Sequence, residues 1–216
     1  MKNIIFVAPP AAGKGTCSDI IKNKYNYKHI STGDLLREAR IKGDDLGQKI
    51  AKLMDSGQLV SDDIVLELLK NELNHMDKSQ KFILDGYPRN ILQAQTLDTI
   101  FNDLQIDDYV VVYLEIDFEK ALNRTLGRLL CPNCKAGYNK YSTELKPKVD
   151  NICDKCGSDL ITRSDDTEET FKIRYDTYMN ETKPILDFYK EKNLLKVIDA
   201  TQNVDDIIKL IEGVIS

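Results

Sequence analysis

The chain has 216 residues, 42% of them hydrophobic, and a formal net charge of −5 at pH 7. This length and apolar content suffice for one well-packed core with small insertions. The negative charge argues against nucleic acid as a partner, because nucleic-acid-binding proteins usually carry a basic footprint. No apolar run approaches the ~20 residues that span a bilayer, so we expect a cytoplasmic protein without a membrane partner.

Strands and helices alternate along the chain. Short apolar runs predict strands at residues 2–8, 29–30, 81–85, 109–114 and 194–198, with 109–114 as a central strand. Helical spacing and capping signals predict helices at 15–25, 31–37, 41–54, 61–73, 93–101, 118–126, 167–178 and 204–214. This alternation predicts an α/β fold in which helices flank both faces of a five-stranded parallel sheet.

The segment from Ala8 to Thr16 has the form of a phosphate-binding loop, since it joins a short apolar run to a predicted helix. Such loops need inward backbone N–H groups, a lysine for the outer phosphates and a hydroxyl for Mg²⁺. Gly13, Lys14 and Thr16 supply these groups, although Thr16 lies one place beyond the usual position. The alternative is a strand-to-helix turn with an incidental lysine.

Alanine occupies two positions of this loop where glycine is expected, Ala8 and Ala11. Because alanine disfavours positive φ, we expect the loop either to keep negative φ there or to carry strain. Pro9 has no N–H group, so we expect the phosphate cradle to use the amides from Ala11 to Thr16.

The predicted strand 81–85 ends in a carboxylate, Asp85. Ligands of parallel sheets bind at the carboxyl ends of the strands, where the loop at Ala8 also lies. A carboxylate there can hold Mg²⁺ directly or through water, and we expect it to do so together with Thr16. The alternative is that Asp85 only caps the turn at Gly86.

Four of the five cysteines form two C-x-x-C pairs, Cys131 with Cys134 and Cys153 with Cys156. In a reducing compartment this spacing predicts a ribbon in which four thiolates hold Zn²⁺, with iron as the alternative metal. Four thiolates leave no open position, so the metal is structural. A nucleic-acid-reading ribbon is a further alternative, but this segment has only a weak basic and aromatic footprint.

Arginine is rare, since the chain has 23 Lys and only 7 Arg. The guanidinium offers a planar fork that matches phosphate oxygens bidentately, which lysine cannot do. The arginines are therefore candidates for phosphate contacts, although any single one could be an ordinary surface charge. They are Arg37, Arg40, Arg89, Arg124, Arg128, Arg163 and Arg174.

Several short motifs follow one another along the chain. They are Gly13-Lys14-Gly15-Thr16, Ser31 through Arg37, Asp85-Gly86-Tyr87-Pro88-Arg89, Gln93, and Thr162 through Asp166 with Arg174. Together they resemble the motifs of the nucleoside monophosphate kinases, and most of all those of the long-lid bacterial adenylate kinases. The resemblance covers nearly the whole chain, from Ile4 to Val204. It implies the reaction ATP + AMP ⇌ 2 ADP with Mg²⁺, carried out by a monomeric enzyme of adenine nucleotide homeostasis.

The resemblance also implies a role for each matching residue. It assigns ATP to Ala11, Ala12, Gly13, Lys14, Gly15, Thr16, Arg124, Arg128, Tyr138 and Gln202. It assigns AMP to Thr32, Arg37, Gly86, Arg89, Gln93, Arg163 and Arg174, with the backbone of Gln58, Leu59 and Val60 along the adenine. The implied catalytic set is Lys14, Arg89, Arg124, Arg128, Arg163, Arg174, Asp165 and Asp166. Arg40 is left with a surface role.

The implied domains are a core of residues 1–30, 61–126 and 167–216, an AMP-binding insertion at 31–60 and a zinc-bearing lid at 127–166.

The chemistry of Gln93 supports adenine, because its amide can both donate and accept at the N6/N1 edge of that base. The alternative is that Gln93 is an ordinary glutamine on the helix surface. Two other functions stay open: a kinase for GMP, CMP or UMP, and a non-catalytic P-loop or zinc-ribbon binding module.

Overall fold

The computed structural model describes residues 1–41, 45–56, 60–77 and 79–216. Its strands are β1 (Asn3–Val7), β2 (Lys28–Ser31), β3 (Phe82–Asp85), β4 (Tyr109–Glu115), β5 (Arg128–Leu130), β6 (Gly137–Asn139) and β7 (Leu195–Asp199). Five of them form one parallel sheet in the order β2-β3-β1-β4-β7. The predicted five-stranded parallel sheet is therefore confirmed.

Strand β1 lies at the centre of the sheet, where Ile4 pairs with Ile83 on one side and with Val110 on the other. The run that was predicted as a central strand, β4, is an interior strand between β1 and β7. The loop after β1 and the end of β3 therefore lie side by side at the carboxyl edge of the sheet.

The helices cover the sheet and build the segments beyond it. They are α1 (Lys14–Tyr25), α2 (Thr32–Ile41), α3 (Asp45–Asp55), α4 (Asp62–Asn74), α5 (Ile91–Asp103), α6 (Phe118–Gly127), α7 (Glu168–Thr177), α8 (Ile185–Glu191) and α9 (Val204–Ile215). A π-helical turn, Tyr178–Thr182, follows α7. The sequence patterns missed this turn, the short α8 and the β5–β6 pair, because none of them is long enough to establish a periodicity.

The core consists of two apolar layers, one on each face of the sheet. Alternate side chains of β1 enter different layers: Ile5 and Val7 pack on one face, and Ile4 and Phe6 on the other. A strand that is buried on both faces is mostly apolar, and the run from Ile4 to Val7 has this property. Each fully buried aliphatic side chain stabilises the fold by about 1.5–3 kcal/mol.

Helices α2 and α3 pack against one another and are joined by an ion pair. Arg40 Nη1 lies 2.8 Å from Asp55 Oδ1, and its Nη2 lies 3.2 Å from Asp55 Oδ2. The start of α2 is capped by Ser31, whose Oγ accepts a hydrogen bond from Asp34 N at 3.2 Å. Arg40 thus has the expected surface role and, in addition, holds α2 to the end of α3.

The segment that contains β5 and β6 has little apolar core of its own. The two strands pair antiparallel, with Leu129 opposite Tyr138. The buried apolar cluster beneath them is small and consists of Leu129, Cys131, Ala136, Cys153 and Leu160. A cluster of this size does not stabilise a structural unit without a metal or disulfide. Among the described residues, no helix is both long and apolar enough to cross a bilayer.

Candidate active site

The loop between β1 and α1 presents backbone N–H groups at the carboxyl edge of the sheet. The first hydrogen bond of α1 runs from Cys17 N to Gly13 O at 3.0 Å. The N–H groups of Lys14, Gly15 and Thr16 therefore have no carbonyl partner within the helix. N–H groups at the positive end of a helix dipole form a favourable site for phosphate.

The loop adopts positive φ at one of its two unusual alanines. Ala11 has a φ of 58°, in the left-handed region, whereas Ala8 is not among the described residues with positive φ. Ala8 therefore keeps negative φ, whereas Ala11 carries the expected strain. A left-handed conformation costs an alanine about 1–2 kcal/mol.

Lys14 folds back over the loop. Its Nζ donates hydrogen bonds to Ala8 O at 3.3 Å and to Pro9 O at 3.5 Å. Burial, together with the charges of Arg89 and Arg174, lowers the pKa of Lys14 to about 8 against the opposing effect of Asp85. An anion that binds beside Lys14 therefore stabilises its protonated form.

Asp85 stays ionised at the end of β3. Burial by itself would raise the pKa of Asp85, but the neighbouring His29 imidazole and the charge of Lys14 hold it below its usual value. His29 Nε2 lies 3.7 Å from Asp85 Oδ2. An ionised carboxylate and the half-buried hydroxyl of Thr16 are hard oxygen donors, which is the ligand chemistry that Mg²⁺ requires.

Three residues expected to contact AMP meet at the turn after β3. Thr32 Oγ1 donates to Asp85 O at 3.4 Å, and Arg89 Nε donates to Gly86 O at 2.7 Å. Gly86 has a φ of 86°, and a Cβ atom there would lie 2.5 Å from Thr32 Oγ1 and 3.0 Å from Arg89 Nη2. A side chain at position 86 would therefore push the threonine and the arginine apart.

Gln93 is not an ordinary surface glutamine, since it is only 4% exposed. Its Oε1 accepts a hydrogen bond from Arg89 N at 2.7 Å, and its Nε2 donates one to Asp62 Oδ1 at 2.5 Å. An amide has two N–H groups and two lone pairs, so one of each remains beyond these two bonds. Gln93 can therefore hold Arg89 and meet a base at the same time.

Two carboxylates expected to lie near the reacting groups pair with arginines. Arg128 Nε lies 3.2 Å from Asp166 Oδ2, and Arg174 Nη1 lies 3.1 Å from Asp165 Oδ2. Asp166 is almost completely buried, and burial raises its pKa. Asp165 and Asp166 thus hold guanidinium groups at the junction between the cysteine-bearing segment and α7.

Positive charges from several elements converge beside these pairs. Burial, together with the charges of Arg163 and Arg174, lowers the pKa of Arg128 to about 10 against the opposing charge of Asp166. Burial also lowers the pKa of Arg163 and of Arg89, with added effects from Arg37 on the first and from Arg174 on the second. Neighbouring cations that disfavour one another's charge create a site that a polyanion stabilises.

The other residues expected at AMP lie near α2 and α4. Arg37 Nη2 lies 2.5 Å from Asp34 Oδ1 on the same helix. Val60 is buried and precedes α4. Gln58 and Leu59 lie outside the described residues.

Arg124 lies beside the loop backbone. Its Nη1 donates to Ala12 O at 3.3 Å and its Nη2 to Ala200 O at 2.9 Å. Burial lowers the pKa of Arg124, and nearby acidic groups such as Asp117 partly oppose this effect. Gln202 is exposed in the turn that follows Ala200. Arg124 therefore ties the phosphate loop to the end of β7.

The four paired cysteines converge as predicted. Their Sγ atoms all lie within 4.8 Å of one another, with Cys131 and Cys156 3.4 Å apart and Cys134 and Cys153 3.5 Å apart. A tetrahedral zinc with Zn–S bonds of about 2.3 Å requires sulfurs about 3.8 Å apart. The donor set and spacing therefore fit Zn²⁺.

Tyr138 lies against these cysteines. Its hydroxyl is 3.5 Å from Cys153 Sγ and accepts a hydrogen bond from Asp154 N at 2.9 Å. The side chain that was expected near the ATP base is therefore engaged at the cysteine cluster. The fifth cysteine, Cys17, is buried in α1, and burial raises its pKa to about 12, which makes it an unreactive thiol.

Two residues that support the site were not predicted from the sequence. Thr182 Oγ1 donates to Arg89 O at 2.7 Å, and Asp62 accepts a hydrogen bond from Gln93. Thr182 belongs to no recognisable motif. Asp62 was visible only as one of the acidic residues that begin a helix, so its contacts with residues about thirty positions away could not be inferred.

Comparison with known proteins agrees with this geometry. The adenylate kinase family model matches residues 6–194. The adenylate kinase of Archaeoglobus fulgidus is 41% identical over 213 residues, which are 99% of this chain and 97% of that protein. That of Thermosipho africanus is 40% identical over 213 residues, 99% of each chain. That of Petrotoga mobilis is 42% identical over 206 residues, 95% of this chain and 94% of its own. The chain therefore belongs to the adenylate kinase family.

Proposed function

We propose that this protein catalyses reversible phosphoryl transfer from Mg-ATP to AMP, giving two ADP, and so balances the adenine nucleotides. The observation that carries the proposal is the convergence of Lys14, Arg89, Arg128 and Arg174 on one site. These cations mutually disfavour their charges in a protein whose net charge is −5. Two polyanionic nucleotides that meet head-on supply the negative charge that relieves this repulsion.

On the ATP side, the loop amides from Ala11 to Thr16 bind the phosphates, and Lys14 contacts the outer ones. Release of the Lys14 ammonium from the loop carbonyls lets it follow the phosphoryl group. Arg124 holds the loop backbone in place, and Gln202 is exposed near the expected position of the ATP base. For Tyr138 we propose a backbone contact only, because its hydroxyl is engaged at Cys153 and Asp154.

On the AMP side, Arg89 and Arg37 bind the α-phosphate, and Thr32 and Gly86 shape the pocket around it. Gln93 contacts the adenine, and the backbone of Val60 lies along the base. Gln58 and Leu59, to which the resemblance assigns the same role, lie outside the described residues. The buried amide supports adenine because it offers both a donor and an acceptor.

The transfer itself requires positioning and charge stabilisation more than covalent chemistry. Arg128, Arg163 and Arg174 surround the phosphoryl group, and Asp165 and Asp166 hold two of them in place. Mg²⁺, which Asp85 and Thr16 would hold, supplies charge neutralisation at the phosphates. No general base is needed, because the acceptor oxygen of AMP is already ionised.

We also propose the domain division given by the resemblance: a core, an AMP-binding insertion at 31–60 and a lid at 127–166. Zn²⁺ on the four cysteines stabilises the lid. Arg163 of the lid lies near enough to α2 for the charge of Arg37 to lower its pKa, which supports closure of both insertions over one site. Closure excludes water and so prevents idle hydrolysis of ATP. The enzyme acts as a cytoplasmic monomer.

The test is ADP formation from Mg-ATP with AMP, GMP, CMP and UMP as separate acceptors. We expect turnover with AMP but not with GMP, CMP or UMP. In the reverse direction, ADP as the sole nucleotide should yield ATP and AMP. Preference for another base would identify a different monophosphate kinase. No turnover by folded, zinc-loaded protein would favour a binding module. In the Lys14→Met variant, loss of a transition-state cation should reduce kcat by about 10²–10³-fold.

A further inference from the structure

Asp62, the first residue of α4, contacts two side chains at the start of α5: Asn90, which caps the helix, and Gln93 in its first turn. Its Oδ1 accepts a hydrogen bond from Gln93 Nε2 at 2.5 Å, and its Oδ2 accepts one from Asn90 Nδ2 at 3.2 Å. Asn90 in turn caps α5, because its Oδ1 accepts a hydrogen bond from Gln93 N at 2.8 Å. One carboxylate thus joins the start of α4 to the start of α5.

These contacts allow only one orientation of the Gln93 amide. The carboxylate of Asp62 can only accept, so the amide nitrogen must face it. On the other side, Arg89 N can only donate, so the amide oxygen must face that group, as it does at 2.7 Å. If the amide rotated by half a turn, its N–H groups would face the N–H of Arg89 and its oxygen would face the Asp62 carboxylate. Both contacts are unfavourable at a buried position.

The fixed orientation matters for the choice of base. The Watson–Crick edge of adenine presents a donor at N6 and an acceptor at N1, whereas that of guanine presents an acceptor at O6 and a donor at N1. An amide that can rotate matches either edge, but an amide that is held in one orientation matches only one.

We propose that Asp62 is a positioning residue that sets the specificity for adenine by locking the orientation of the Gln93 amide. This inference rests on the proposed function, in which Gln93 contacts the base of the acceptor nucleotide. Asp62 itself lies behind the glutamine, on the side of the amide nitrogen, and acts through it.

The experiment compares wild type, Asp62→Asn and Asp63→Asn in the full-length, zinc-loaded protein. Asp63→Asn is the matched control, because Asp63 is exposed and its substitution removes the same charge from the same first turn of α4. For each protein, kcat and KM are measured with AMP and with GMP at saturating Mg-ATP, together with the KM for ATP and the melting temperature.

In Asp62→Asn, we expect the ratio of kcat/KM for AMP to that for GMP to fall by about tenfold, because an asparagine can face either orientation of Gln93 and only the bond from Arg89 N then favours one of them. The KM for AMP should rise while kcat and the KM for ATP change less than about twofold. Asp63→Asn should keep the wild-type ratio.

An unchanged ratio in folded Asp62→Asn would overturn the role of Asp62 and leave the proposed function intact. Equal use of AMP and GMP by wild type would instead overturn the adenine specificity of the proposed function. If Asp62→Asn does not fold, Asp62→Ser decides by the same ratio, because serine is well tolerated at a helix start and its hydroxyl can both donate and accept.

Discussion

Thr182 Oγ1 donates a hydrogen bond of 2.7 Å to the carbonyl oxygen of Arg89. Thr182 is buried and ends the π-helical turn that follows α7. Arg174 lies on α7, so this bond joins the elements that carry two arginines of the cluster. Short π-helical turns often occur at functional sites. Here the turn brings the hydroxyl of Thr182 to the backbone of Arg89.

Thr182→Val should disturb the position of Arg89 while keeping the shape of the side chain. The variant leaves a carbonyl without its donor, at a cost of about 1–3 kcal/mol in the free energy of unfolding. We expect kcat/KM for AMP to fall by about tenfold, measured by steady-state kinetics, with little change in the KM for ATP. Thr182→Ser keeps the hydroxyl and should retain wild-type kinetics; equal losses in both variants would contradict this role.

The affinity for ATP should fall as the pH rises through about 8. The pKa of Lys14 in the free protein is about 8 because burial and nearby arginines disfavour its charge. Phosphate binds the protonated form, so binding raises this pKa, and above pH 8 the free protein must take up a proton to bind. The dissociation constant should then increase by up to about tenfold per pH unit, measured by calorimetry between pH 7.5 and 9.5.

The control for this pH dependence is Lys14→Arg, whose side chain stays charged throughout the range. Its ATP affinity should vary little with pH. A wild-type affinity that is constant from pH 7.5 to 9.5 would contradict the lowered pKa.

Ala11→Gly should stabilise the protein. Glycine adopts the φ of 58° found at Ala11 without strain, but it also loses more entropy on folding. Relief of about 1–2 kcal/mol opposes an entropic cost of about 0.5–1 kcal/mol, so we expect the free energy of unfolding in urea to rise by up to about 1.5 kcal/mol. Ala12→Gly, in the same loop but without positive φ, should be destabilised. A lower stability for both variants would show that Ala11 is not strained.

Removal of zinc should destabilise the segment around β5 and β6. Its apolar cluster is small, so four metal–thiolate bonds replace the missing core. Chelation should lower the melting temperature and expose amides of this segment to hydrogen exchange before those of the sheet. The matched variants are Cys156→Ala, which should lose zinc, and Cys17→Ala, which should keep one zinc per chain. Melting that chelation does not change would exclude a structural metal.

Most of the architecture was predictable because it depends on local or repetitive features. The continuous apolar runs at β1, β3 and β4 identified the parallel sheet, since only strands that are buried on both faces are apolar throughout. The two C-x-x-C pairs predicted the cysteine cluster, because metal ligands must come in a fixed number and spacing. The rarity of arginine singled out the cationic residues of the site.

Residue types and their spacing were enough to predict the α/β class, the candidate phosphate loop, the cysteine cluster and the candidate arginines. Only the folded structure shows that Ala11 takes positive φ, that Tyr138 contacts the cysteines, and that Asp62 and Thr182 form hydrogen bonds with Gln93 and Arg89, respectively. These features arise from contacts between residues far apart in the chain. No local pattern encodes such contacts, because they exist only after the sheet has brought the loops together at its carboxyl edge.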